Sequence, residues 1–195
     1  MKKTMEVRQN IDSSEEQNSG ADCCTSSGYS CEDDPNLGPF KKATVDLLYL
    51  DLTVCDRCTG TDARTVVAVE RCRPLLAACG FQLALNMIHI ADERLAEYYR
   101  FYSSPTIRVN GVDICPLVEE NDCDCCKTIS DSDVQCRLFQ FNGVYYEIPP
   151  TDMIIKSILE IVLQGKTPDN EVKPYVLPEN LKSFFKGKRT KKSCC

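Results

Sequence analysis

The stretch YLDLTVCDRCTGTDARTVVAVERC, residues 49–72, joins an apolar, β-branched run to a helical one through Cys55-Asp56-Arg57-Cys58. No feature constrains the fold more. The run before the pair suits a central strand, and a strand that hands over directly to a helix is the opening of a crossover unit in an α/β sheet. The thiols constrain the chemistry as well. A cysteine acts as nucleophile or metal ligand only as thiolate, and the unpaired N–H groups of a helix start stabilise that anion. Cys55 falls where the strand ends, so its sulfur is expected to reach solvent. Cys58 is then near enough to attack a mixed disulfide or to share a bound ion. The plainer readings are half of a zinc site or two inert thiols.

The chain of 195 residues carries fourteen cysteines, and their spacing argues about their use. They come in tight sets: Cys23-Cys24 with Cys31, Cys55 with Cys58, Cys123 with Cys125-Cys126, and Cys194-Cys195. Neighbouring cysteines make poor staples, because a bridge between them is strained and closes almost no loop. Paired thiolates presented to a soft ion, or thiol chemistry in a reducing compartment, fit better. The start of the chain has lysines but no apolar run behind them, and no stretch has the length of a membrane helix. The expectation is therefore a cytoplasmic protein without a membrane span. A net charge of −6 argues against a nucleic-acid partner.

Residues 1–40 are polar and poor in large apolar groups, which predicts a disordered, cysteine-containing N-terminal tail. A folded domain is expected over 41–165. Its elements are a strand over 43–52, a helix capped at Thr61 or Asp62 and stopped at Gly80, and a strand over 81–90. A helix over 91–102 follows, and Pro74 is expected to kink or split the first one. Ser104-Pro105 leads into a strand, with a hairpin at Asn110-Gly111 and a second at Asn142-Gly143. A last helix covers 150–165. Residues 166–195 are expected to be a flexible basic tail ending in Cys194-Cys195, with Phe184 and Phe185 as the only residues suited to docking.

The order strand, CxxC, helix, strand, helix, Ser-Pro, strand, hairpin, helix resembles a thioredoxin-like fold. The predicted architecture is a central mixed sheet with flanking helices, a Cys-rich hairpin insertion and disordered tails. The stretch CDCCKTISDSDVQCRLFQFNGVYYEIPPTDMI sharpens the likeness. It resembles an uncharacterised thioredoxin-like family known as domain of unknown function 2703, over about residues 44–164. That family pairs a CxxC after the first strand with a later cysteine cluster, a Cys-Arg, a Tyr-Glu and Ile-Pro stretch, and a final helix. The resemblance implies a fold and no function. It also implies that Pro105 is the cis-proline facing the cysteine pair, placed to hold an extended substrate backbone.

Several chemistries remain open. Cys55 and Cys58 suit either thiol–disulfide exchange or capture of a soft ion such as Hg(II), As(III), Cu(I) or Zn(II). Arg57 is placed to hold a thiolate. Asp56 beside two sulfurs is the combination a carbon–mercury lyase needs, since a carboxyl group must deliver a proton to the departing carbon. A solvated Asp56 without a role is the plain alternative. Cys123, Cys125, Cys126 and Cys136, with Cys115 nearby, offer a second set. They suit a structural zinc or an accessory site that passes an ion or a disulfide to the first pair. Cys194 and Cys195 are candidates for capturing an ion and handing it on. A terminal Cys-Cys after a basic run also resembles a prenylation signal, but no GxxxxGK[ST] loop accompanies it. Cys72, Cys79 and the single histidine, His89, are expected to be packing residues. The functions consistent with these residues are a soft-ion binding or transfer protein, an alkylmercury lyase, a thiol–disulfide oxidoreductase, and a zinc-stabilised interaction module.

Overall fold

The first strand, β1 (Lys41–Tyr49), buries Ala43, Val45 and Leu47 at alternate positions, as the pleat of a strand covered by helices requires. This computed structural model describes residues 39–168 and 174–192, so the N-terminal tail expectation and Cys23, Cys24, Cys31, Cys194 and Cys195 lie outside the described residues. β1 runs into α1 (Asp56–Ala78) and then β2 (Phe81–His89), which pairs with it in parallel. After α2 (Glu93–Tyr98) come β3 (Thr106–Val109), antiparallel to β1, and β4 (Val112–Asp113). The sheet order is β2-β1-β3-β4. That mixed α/β arrangement is the one expected of a thioredoxin-like fold.

A second antiparallel sheet, β5-β6-β7, comprises β5 (Glu119–Asp122), β6 (Gln135–Phe141) and β7 (Val144–Tyr146). The short helix α3 (Asp124–Ser130) sits between its first two strands. This is the cysteine-rich insertion. Both predicted hairpins form at the expected dipeptides. Asn110 and Asn142 have φ of 49° and 52°, followed by Gly111 and Gly143 at 81° and 79°, which is the backbone a two-residue primed turn demands. α4 (Thr151–Leu163) then packs Ile154, Ile158 and Ile161 against α1 and the sheet. Each such side chain contributes about 1.5–3 kcal/mol by leaving water.

Two expectations need correcting. α1 begins at Asp56, with Cys55 as its N-cap, and not at Thr61 or Asp62. Thr61 lies inside the helix, its carbonyl accepting the Thr65 hydroxyl at 2.7 Å. Gly60 is tolerated there because Ile148 approaches to 2.5 Å of where a Cβ would stand. The helix also passes through Pro74 as one element of 23 residues.

The second correction concerns 166–195. Residues 179–192 form α5 (Glu179–Lys192), whose Leu181, Phe184 and Phe185 are buried in the same core as Leu48, Leu50, Ile90 and Phe101. Asn180 fastens its start to β6, accepting from Gln135 N at 2.9 Å and donating to Gln135 O at 2.7 Å. Arg189 pairs with Glu93 at 3.0 Å, and Lys191 donates to Thr128 O at 2.6 Å. The basic composition masked an apolar stripe only three residues wide.

Gly187 sets how closely α5 lies on α3, since a Cβ there would fall 1.8 Å from Ser130 O. Gly187→Ala is therefore expected to lower the unfolding free energy by about 1–3 kcal/mol in urea titration. An unchanged midpoint would show that α5 does not pack on α3 in this way.

Candidate metal centre

Two helix starts and one strand converge on a single point. Cys55 is the N-cap of α1, Cys123 is the N-cap of α3, Cys126 lies in α3 and Cys136 lies in β6. Their four sulfurs all lie within 4.8 Å of one another, and all four residues are buried. The sulfurs of Cys126 and Cys136 are 3.3 Å apart. A tetrahedral ion with metal–sulfur bonds of 2.3 Å holds its sulfurs about 3.8 Å apart. The group thus has the size and the donor type for one soft ion, and it can bind a metal.

Electrostatics explain what an ion would change. Hydrogen bonds from the Cys123, Cys126, Cys136 and Cys58 thiols hold the Cys55 thiol well below the usual range, against the effect of burial. Cys123 is brought down to about 7, first by its hydrogen bond with Cys126 and then by that with Cys136. Cys126 and Cys136 are pushed up, chiefly by their hydrogen bonds with Cys123. Thiols this close cannot all ionise alone, because each new anion meets the previous one at contact distance in a poorly solvated site. A cation reverses that logic and draws the remaining protons off.

The scaffold around the sulfurs is polar and tied together. Arg57, buried in the first turn of α1, pairs with Glu147 at 2.6 Å and donates to Asp122 O at 2.7 Å and to Asn121 Oδ1. It does not hold a thiolate, as the sequence suggested. It joins the helix bearing Cys55 to the strand that leads into Cys123. Ser104 is a second junction. Its hydroxyl takes the Leu50 N–H at 3.2 Å and lies 3.4 Å from the Cys58 sulfur, while its carbonyl accepts from Arg137 N at 2.8 Å. Arg137, only 1% exposed, pairs with Asp113 at 2.9 Å and donates to Thr106 Oγ1 at 2.7 Å and to Cys115 O. It anchors β6 directly beside Cys136.

The structure redistributes the residues singled out from sequence. It merges two expected sites into one. Cys55 takes the place expected for Cys125, and Cys115 belongs to a separate apolar cluster with Phe139 and Met153. Cys58 falls outside the four, although its thiol hydrogen-bonds to Cys55 and its ionisation is suppressed chiefly by that contact. Both are 0% exposed, which corrects the expectation of a solvent-reaching thiol. Cys125 is half-buried at the rim. Its thiol bonds to the Asp56 backbone, yet burial and the nearby Cys55 and Cys123 leave it raised overall. Asp56 is exposed. The Ser104–Pro105 bond is cis, and Pro105 is itself buried. Cys72 is buried as expected, whereas Cys79 is exposed. His89 is exposed at the sheet edge, stacked on Tyr49, with Nε2 3.1 Å from Leu50 O. Among the described residues no helix is long and apolar enough to cross a membrane.

The family model described as "Domain of unknown function (DUF2703)" matches residues 43–158. The chain belongs to that family. The matched segment contains all four clustered cysteines together with Arg57, Ser104 and Arg137. No curated protein and no solved structure matches the chain.

Because Arg57 links two segments that carry the sulfurs, Arg57→Ala is expected to cost about 1–3 kcal/mol of stability by leaving Asn121 Oδ1 and the Asp122 carbonyl without the guanidinium. It should also weaken metal retention by about 10–100-fold, as loss of an outer hydrogen-bond partner does. Chelator competition on the reduced protein measures this. Retention equal to that of the unaltered protein would contradict the linking role.

Proposed function

We propose that this protein binds a soft metal or metalloid ion through the thiolates of Cys55, Cys123, Cys126 and Cys136, and that Hg(II) and As(III), with Zn(II), are the class it takes. The supporting observation is the approach of four buried sulfurs to within 4.8 Å, drawn from parts of the chain as far apart as residues 55 and 136. Sulfur donors without nitrogen or oxygen partners select soft ions over hard ones. Four free thiols at this distance persist in a reducing compartment, so we place the protein in the cytoplasm. Cys125, half-buried beside Asp56, is where an incoming ion or a small thiol would first meet sulfur.

Burial argues against exchange with protein disulfides as the main activity, since a catalytic thiolate must be reachable. The lyase reading requires Asp56 to deliver a proton beside a bound ion. Asp56 is exposed, whereas the four sulfurs are buried. A zinc held permanently for structure remains the alternative to an ion that is delivered and released, and exchange separates the two.

Native mass spectrometry of the reduced full chain, titrated with Hg(II), As(III) or Zn(II), is expected to show one ion retained against excess chelator. Cys136→Ser and Cys123→Ser should each abolish that retention, while Cys79→Ser leaves it unchanged. Retention that survives both of the first two substitutions would refute the assignment.

A further inference from the structure

Cys58 is a buried sulfur that the four-ligand set does not use, although it touches one member of that set. It lies one helical turn from Cys55, in the same buried cluster, and its sulfur is 3.4 Å from Ser104 Oγ. Cys55 therefore has two sets of sulfur neighbours: Cys123, Cys126 and Cys136 in the four-sulfur group, and Cys58 one turn along its own helix. The two exclude each other chemically. A metal needs the Cys55 sulfur as an anion, and a disulfide removes that anion. Building on the four-thiolate reading, we propose that Cys55 and Cys58 form a dithiol–disulfide couple whose oxidation by a small hydroperoxide takes Cys55 out of the metal site and releases the ion.

The step balances in two stages. The Cys55 thiolate attacks the hydroxyl oxygen of the hydroperoxide, which keeps its proton, the O–O bond breaks, and the other oxygen leaves as alcohol or water by taking a proton from solvent. Cys55 is then a sulfenic acid. The Cys58 sulfur attacks it, the S–S bond forms, and the sulfenic oxygen departs as water carrying the Cys58 proton. The dithiol loses two electrons and the peroxide gains them. The remaining three cysteines keep their places but offer one donor fewer.

Three observations favour this pair and this oxidant. Cys55 and Cys58 lie one turn apart at the start of one helix, so joining them moves no segment relative to another. Cys126 and Cys136 are close, with sulfurs 3.3 Å apart, but they belong to α3 and β6, and both are members of the four-sulfur group, whereas Cys58 is not. Both sulfurs of the proposed couple are 0% exposed, which bars a protein disulfide and selects a small molecule. A cleft of about 300 Å³ lined by Asp122, Cys123, Asp124, Lys127 and Asp133 brings such a molecule up to the edge of the sulfur group.

The test uses the reduced, zinc-loaded full chain beside Cys58→Ser, which keeps a hydroxyl for Ser104, with Cys58→Ala as a second variant. Both variants are expected to hold zinc with the stoichiometry of the unaltered protein before oxidation. On adding hydrogen peroxide, the unaltered protein should release zinc as a Cys55–Cys58 disulfide appears in peptide mapping, and the variants should release it roughly tenfold more slowly. Equal release from all three, or a Cys126–Cys136 disulfide in its place, overturns the proposal while leaving the four-thiolate reading intact. Absence of bound zinc from every reduced form overturns both.

Discussion

Four sulfhydryl groups packed into one buried spot resist ionising together, and the region around Cys55 is organised by that resistance. Hydrogen bonding within the group concentrates negative charge on Cys55 and Cys123 and suppresses it on Cys126 and Cys136. Without a cation, the group holds protons that a bound ion would displace. Metal capture, proton release and local stability are therefore one linked equilibrium.

The fold delivers this group by placing chain turns rather than long elements at the centre. β1 ends and α1 begins at Cys55; β5 ends and α3 begins at Cys123. Both cysteines are N-cap residues whose side chains make no cap hydrogen bond, which leaves their sulfurs to one another. Arg57, Ser104 and Arg137 then bind the segments through backbone carbonyls and carboxylates. α5 adds an apolar wall through Leu181, Phe184 and Phe185. The second sheet is thus a carrier that brings Cys136 and the α3 cysteines to the CxxC end of the first.

Much of this was legible in the residues. The strand-to-helix position of Cys55, both Asn-Gly hairpins and the helix after Pro150 follow from local chemistry, and local chemistry survives folding. The merger of two thiol sets was not legible, because it depends on how the β5-β6-β7 sheet docks, and spacing along the chain carries no such information. Spacing favoured Cys115 as a neighbour of Cys123; the buried Arg137 holds the Cys115 carbonyl, and its side chain joins a different apolar cluster. The burial of Cys55 was missed for the same reason, since its apolar cluster includes residues more than a hundred positions away. α5 was obscured by charge. Its lysines and arginine outnumber the apolar residues that fix it, yet Phe184 and Phe185 gave the signal.

The most direct measurement is X-ray absorption at the zinc edge on the reduced, zinc-loaded full chain. The account predicts a single shell of four sulfurs at about 2.3 Å, and no retained four-sulfur shell when Cys136 is changed to serine. A shell dominated by nitrogen or oxygen, or a sulfur shell that the Cys136→Ser change leaves intact, would contradict it.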